Sequence, residues 1–191
     1  MPTVEVRVPT TLKEFYNGCI KTISYSRQTV ALDGKTCEYK VTNKQIEIKP
    51  GMDIHDNYKY VGEGHQQPGQ RNSNLYVNFQ LAPPNWKADD YETQCRYTRE
   101  KNDLYYKKKI TLQDAIKCNP VKIPLLNGKT ILLAIDETIT PKTIKKIPGE
   151  GMKIYKKRDY MDECDDRGDL YVSFEIEFPK KLNNEQREKI A

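Results

Sequence analysis

The chain has 191 residues, 37% of them apolar and 31% charged, a net charge of +5 and a mean hydropathy of −0.83. This length allows one ordinary domain or two small ones. The supply of Tyr, Ile, Val and Leu excludes a disordered polymer, and no apolar run approaches the ~18 residues of a membrane span.

The first predicted element is a strand, in which Val4, Val6 and Val8 alternate with Glu5 and Arg7. A short helix follows. Thr11 and Glu14 have capping-box spacing, Leu12, Phe15 and Tyr16 form one apolar face, and Gly18 ends it. IKTISYS (20–26) is an alternating strand that leads to a turn at Asp33-Gly34, and QIEIK (45–49) returns from it. A Pro50-Gly51 turn and the loop VGEG (61–64) precede a last strand, LYVNF (75–79).

The chain then repeats itself. VPTTLKEFYNG (8–18) is answered by KKITLQDAIKCN (108–119), LDGKT (32–36) by LNGKT (126–130) and IKPGM (48–52) by ITPKT (139–143). VGEGHQ (61–66) is answered by PGEGMK (148–153) and NLYVNFQL (74–81) by DLYVSFEI (169–176). Five matches in one order indicate a duplicated module. In the second copy Thr111 and Asp114 cap a helix that Asn119-Pro120 ends, and VKIPLL (121–126) and TILLAI (130–135) flank an Asn127-Gly128 turn. The expected fold is mostly β: two similar tandem domains, each a β-sandwich or partly closed barrel with one short helix. The boundary is placed at Leu81-Ala82-Pro83-Pro84, giving domains over 1–83 and 84–179. KKLNNEQREKIA (180–191) suits a short terminal helix, with Asn183 and Gln186 at capping-box spacing and Leu182 and Ile190 as its apolar positions.

Chemical motifs are sparse. The two histidines, His55 and His65, sit beside turn signals without a nucleophile in a recognisable local motif. DGKT and NGKT lack the upstream glycine of a phosphate-binding loop and read as hairpin turns. MDECDD (161–166) lacks EF-hand spacing and reads as a solvated loop, and Arg167-Gly168-Asp169 as the entry to the last strand. YYKKK (105–109) reads as a charged strand edge. Five scattered cysteines without a CxxC predict free thiols in a reducing compartment, with neither disulfides nor zinc. The reading is therefore a non-enzyme without a cofactor, built from two β modules of the kind that bind extended peptides at a sheet edge. The competing readings are a basic nucleic-acid-binding β module, suggested by the charge and the thirteen tyrosines, and an enzyme using the His65 or the acidic loop. Dispersed, acid-paired lysines make nucleic acid the weaker partner.

The set VPTTLKEFYNGCIK, VGEGHQ, ITLQDAIKC, LLNGKTI, PGEGM and RGDLYVSFEIEFP resembles the C-terminal region of DnaJ-type co-chaperones, the heat-shock-protein-40 family. It covers essentially the whole chain. The absence of CxxC resembles the second class, which lacks the zinc repeats. The family's J domain and Gly/Phe-rich linker are not in this sequence, which implies a fragment of a longer protein, one unable to stimulate a partner's ATP hydrolysis.

The resemblance implies that the first domain binds non-native polypeptides in a shallow apolar groove, and there receives the acidic C-terminal tail of a heat-shock-protein-70 partner. The matching positions are Val6, Val8, Lys21, Ile23, Tyr25, Tyr60 and Leu75. Ile23 and Tyr25 share a strand face, and Lys21 on that face could pair with a tail carboxylate. Alternating apolar residues of a sandwich otherwise pack inward as core. Thr22 stands where the family often has a second lysine. The terminal helix, through Leu182, Gln186 and Ile190, is expected to join two chains into a homodimer. The protein is expected to be cytoplasmic, with a nuclear pool allowed, and not bound to a membrane.

Overall fold

The computed structural model describes residues 2–85, 87–155, 166–179 and 181, and these fall into two compact units divided in the main chain at Ala88–Asp89. The expected terminal helix and residues 161–165 of the acidic loop lie outside the described residues. So do Leu182, Gln186 and Ile190.

The first unit starts with strand β1 (Val4–Thr10) and helix α1 (Leu12–Asn17). A long hairpin of β2 (Cys19–Val30) and β3 (Cys37–Ile48) follows, then β4 (Asn57–Tyr60) and β5 (Leu75–Leu81). Strands β1, β5 and β4 form a sheet in that order, with β1 parallel and β4 antiparallel to β5, while β2 and β3 pair only with each other. The core draws on both layers and the helix. Val4, Val8, Val77 and Phe79 come from the sheet, Ile46 and Ile48 from the hairpin, and Phe15 and Tyr16 from α1. The Phe15 and Phe79 rings meet edge to face at 6.0 Å.

Local sequence accounts for the joints. The Thr11 hydroxyl accepts from the Glu14 N–H, and the Glu14 carboxylate accepts from the Thr11 N–H at 2.7 Å, which completes the capping box. At the hairpin tip Asp33 Oδ1 accepts from the N–H groups of Lys35 and Thr36, each at 2.9 Å, and Gly34 has φ 68°.

The second unit opens with elements that were not expected, helix α2 (Tyr91–Cys95) and strand β6 (Tyr97–Glu100). Then come β7 (Asp103–Thr111), α3 (Leu112–Lys117), the hairpin β8 (Val121–Pro124) and β9 (Thr130–Leu133), β10 (Ile144–Ile147) and β11 (Leu170–Glu177). Its main sheet runs β10-β11-β7-β6. Strand β7 is parallel to β11 as β1 is to β5, and Leu104 stands opposite Leu170 as Val4 stands opposite Leu75. The duplication read from five sequence blocks thus has a common topology in which β1, α1, the hairpin, β4 and β5 recur as β7, α3, the hairpin, β10 and β11.

Three expectations are corrected. Among the described residues the second unit has two helices rather than one. The 105–109 stretch is not a strand edge throughout, because β7 is paired on both sides at Leu104–Tyr106. Helix α3 is closed by Cys118, in the left-handed region at φ 54°, ahead of Asn119-Pro120. The architecture is otherwise the expected one: mostly β, in small sheets with short helices.

Candidate functional site

In the first unit, strand β1 has β5 along one edge and no strand along the other among the described residues. Strand β2 has β3 along one edge only. Near its far end, the Gln28 N–H donates to His65 Nδ1 at 3.0 Å and the Gln28 carbonyl accepts from the Gln66 N–H at 2.9 Å. These bonds leave β2 on the side away from β3. Backbone groups of an antiparallel strand alternate in direction, so Ser26, Ser24 and Thr22 present theirs to the same open edge. The 65–66 loop occupies one end of that edge. His65 is thereby a structural acceptor.

The seven groove candidates divide by depth. Leu75 is fully buried and Val8 is 3% exposed, whereas Ile23 and Tyr25 are 7% and 6% exposed. Val6, Lys21 and Tyr60 are half-buried. Leu75, Val8, Ile23 and Tyr25 thus all belong to the buried core, Ile23 and Tyr25 being the least deeply buried of them. Lys21, Ile23 and Tyr25 share the inward face of β2, while Ile20, one residue away, faces outward and is 70% exposed.

Lys21 is already engaged. Its Nζ donates to Glu14 Oε2 at 2.8 Å and to the Pro9 carbonyl, so it ties β2 to α1 and β1. Burial raises the Glu14 carboxyl, but bonds from Lys21 and the Thr11 N–H, with the Lys21 charge, outweigh it and hold Glu14 below its ordinary value. A folded-state pKa below the unfolded one contributes stability above the ordinary glutamate range, lost as pH falls through the lowered value. Lys21→Ala should therefore lose less stability than the parent between about pH 6 and pH 3, a difference read from thermal melts across that range.

Sequence reading missed a second cluster. Lys44, opposite Ile23 in the hairpin ladder, donates to both Glu63 carboxylate oxygens at 2.9 and 2.8 Å and lies 3.9 Å from the Tyr60 ring centroid. The Glu63 carbonyl accepts from the Tyr25 hydroxyl at 3.3 Å and from Arg27 Nη1 at 3.4 Å. The VGEG loop is thus seated on the inward face of the hairpin. The available signal was the period-two pattern, since Lys44 is two residues before Ile46. Burial raises the Tyr60 phenol, with Lys44 opposing and Glu63 reinforcing, and burial pushes Tyr58 up to about 12.

The remaining motifs take structural places. The His55 N–H donates to Asp53 Oδ1, and Asn127 Oδ1 accepts from the Lys129 N–H in the second hairpin turn. Cys19, Cys37, Cys95 and Cys118 are free thiols. Among the described residues no group of acidic, His or Cys side chains is arranged to hold a metal, and no helix is long and apolar enough to cross a membrane.

A duplicated unit with a parallel β1–β5 pair, a capped helix and a hairpin beside an open edge defines a class of tandem β modules. Comparison with known proteins specifies it: residues 4–179 match the model of the DnaJ C terminal domain, and the chain belongs to that family. It is 28% identical over 189 residues to human DnaJ homolog subfamily B member 13, covering 98% of this chain and 54% of that protein. It is 30% identical over 182 residues to DnaJ protein homolog 1 of Drosophila melanogaster, covering 95% and 49%. A Chaperone protein DnaJ of Fusobacterium nucleatum subsp. polymorphum is 30% identical over 150 residues, covering 78% and 34%. The chain spans about half the length, or less, of these relatives.

Proposed function

We propose that this chain is the polypeptide-binding part of a co-chaperone, and that its first unit receives extended, non-native segments between the open edges of β1 and β2. One observation carries the reading: the backbone groups of Thr22, Ser24 and Ser26 face an edge that carries no strand among the described residues, with Ile23 and Tyr25 interleaved on the inward face. An added strand would gain main-chain bonds from the edge and specificity from the apolar side chains. In the second unit the matching edge of β7 is covered at Asp103–Tyr106 by β6, which favours the first unit as the main site.

The same cleft takes the acidic C-terminal tail of a heat-shock-protein-70 partner, with Lys21 and Lys44 as cations. Each has an internal carboxylate, Glu14 and Glu63, so a tail must exchange partners rather than find a bare charge. Weak, releasable binding follows, as delivery of clients requires. We further place the functional boundaries at 1–83, 84–179 and 180–191, with Leu182, Gln186 and Ile190 joining two chains in the cytosol. Two weak clefts on one dimer raise affinity for a long chain without a new contact.

The test is fluorescence anisotropy of a labelled, permanently unfolded polypeptide with the unaltered chain. Binding that a short acidic peptide with a free C-terminal carboxylate displaces is the expected result. Absence of binding removes the client reading, and binding without displacement removes the shared cleft.

A further inference from the structure

The registers of the two units fix equivalent positions. Val8 stands opposite Phe79 in the first unit, and Lys108 stands opposite Phe174 in the second. The inward face of β1 carries Val4, Val6, Val8 and Thr10, and that of β7 carries Leu104, Tyr106, Lys108 and Ile110. A lysine therefore replaces a core valine on the inward face of the duplicated strand.

Lys108 lines a cleft of about 310 Å³ with Lys109 and Thr111 of β7, Asp114 of α3, Lys122 of β8 and Glu177 of β11. Both acids are already engaged. Asp114 accepts from the Thr111 hydroxyl at 2.7 Å and from Asn119 at 3.3 Å, and Glu177 lies 3.5 Å from Lys109 Nζ. Among the described residues the side-chain ammonium groups of Lys108 and Lys122 have no hydrogen bond or ion pair. The next cation, Arg96, is 3.8 Å from Glu175. Burial first, and then the like charge of Arg96, push the Lys108 ammonium below its ordinary pKa. An inward, unpaired cation is costly to the fold and gains most from an incoming anion.

The walls select the form of that anion. Strand β6 stops opposite Tyr106, one further bond joins the Lys107 N–H to the Arg96 carbonyl, and from Lys108 to Thr111 β7 is paired only with β11. Strand β8 is paired only with β9. Two open strand edges thus flank the cleft, as in the first unit, but Lys108 stands where the first unit has Val8, and the exposed Lys122 adds a second cation on β8. We propose that this cleft of the second unit is a separate binding site for an extended acidic peptide segment, whose carboxylates are held by Lys108 and Lys122. The site does not rest on the reading of the first unit, and it gives the second copy a cation at a position where the first has an apolar side chain.

The test uses the full chain carrying Lys21→Ala and Lys44→Ala, which silences cations of the first unit. The probe is an eight-residue peptide of alternating Glu and Ser, and the control has Gln for Glu. With the Glu peptide, amide NMR signals of Lys108–Thr111 and Val121–Lys122 should shift, and with the Gln peptide they should not. Lys108→Val should weaken binding about tenfold, as loss of a bond to a charged group does, while Tm stays the same or rises. Absence of these shifts at millimolar peptide, equal shifts with the Gln peptide, or affinity unchanged by Lys108→Val would each overturn the proposal. Because Lys108→Val restores the residue type of the first unit, its stability reports folding and its affinity reports the site.

Discussion

Gly151→Ala is expected to destabilise the second unit by about 3 kcal/mol or more, whereas Gly149→Ala, two residues earlier, costs only about 1 kcal/mol. The two glycines of PGEG have different roles. Gly149 has φ 74° and open space around it, so a side chain there meets only backbone strain. A Cβ on Gly151 would lie 2.5 Å from the Gly168 carbonyl carbon and 2.7 Å from both the Asn102 oxygen and the Asp169 nitrogen. All three are main-chain atoms, and they are locked. Gly151 N–H donates to the Gly168 carbonyl at 2.9 Å, Gly168 N–H to Met152 at 2.9 Å, and Met152 N–H to Asn102 at 2.8 Å. No side-chain rotation relieves such a clash. The VGEG copy repeats the division: Gly62 has φ 75°, and a Cβ on Gly64 would meet the Asn74 carbonyl oxygen at 2.6 Å. Urea denaturation of the two variants checks this, and equal midpoints would contradict it.

Ile23→Ser combined with Tyr25→Ser should lower affinity for an unfolded polypeptide at least about tenfold, since each contributes apolar burial worth roughly 1.5–3 kcal/mol. Ile20→Ser should leave it unchanged. The three residues lie within six positions of one strand, but Ile20 is on the opposite face. The comparison therefore tests the face and not merely local hydrophobicity. Ile23 and Tyr25 are also buried in the core of the first unit, so the double variant loses some stability. Retention of its dispersed amide NMR spectrum separates loss of the cleft from loss of the fold. Equal losses for Ile20→Ser and the double variant would contradict the assignment.

Much of this was legible because repeated local chemistry has local causes. The Thr11–Glu14 box, the Asp33-Gly34 and Asn127-Gly128 turns and the alternation of VEVRV and LYVSF each encode their own geometry. NYKY and IKKI, which become β4 and β10, were not legible as strands. Each has four residues and is held by pairing with β5 or β11, not by its own pattern. Strand β6 was hidden for the same reason. Lys44 and Glu63 are 19 residues apart and meet only when the GEG loop folds onto the hairpin. Lys108 reads as one of three consecutive lysines, and its inward position emerges from the pairing of β7 with β11. The repeated GEG motif showed that there were two copies, but not that its second glycine is needed for backbone contact in each.

The central claim is that extended polypeptide adds to the open edge of β2 in the first unit. Amide hydrogen exchange of the full chain, with and without a saturating unfolded polypeptide, tests it most directly. New protection at Thr22, Ser24 and Ser26, with little change on the outward-facing Tyr39–Val41 stretch of β3, is the predicted result. Protection that leaves the β2 edge exchanging as in the free chain, while polypeptide is bound, would contradict it.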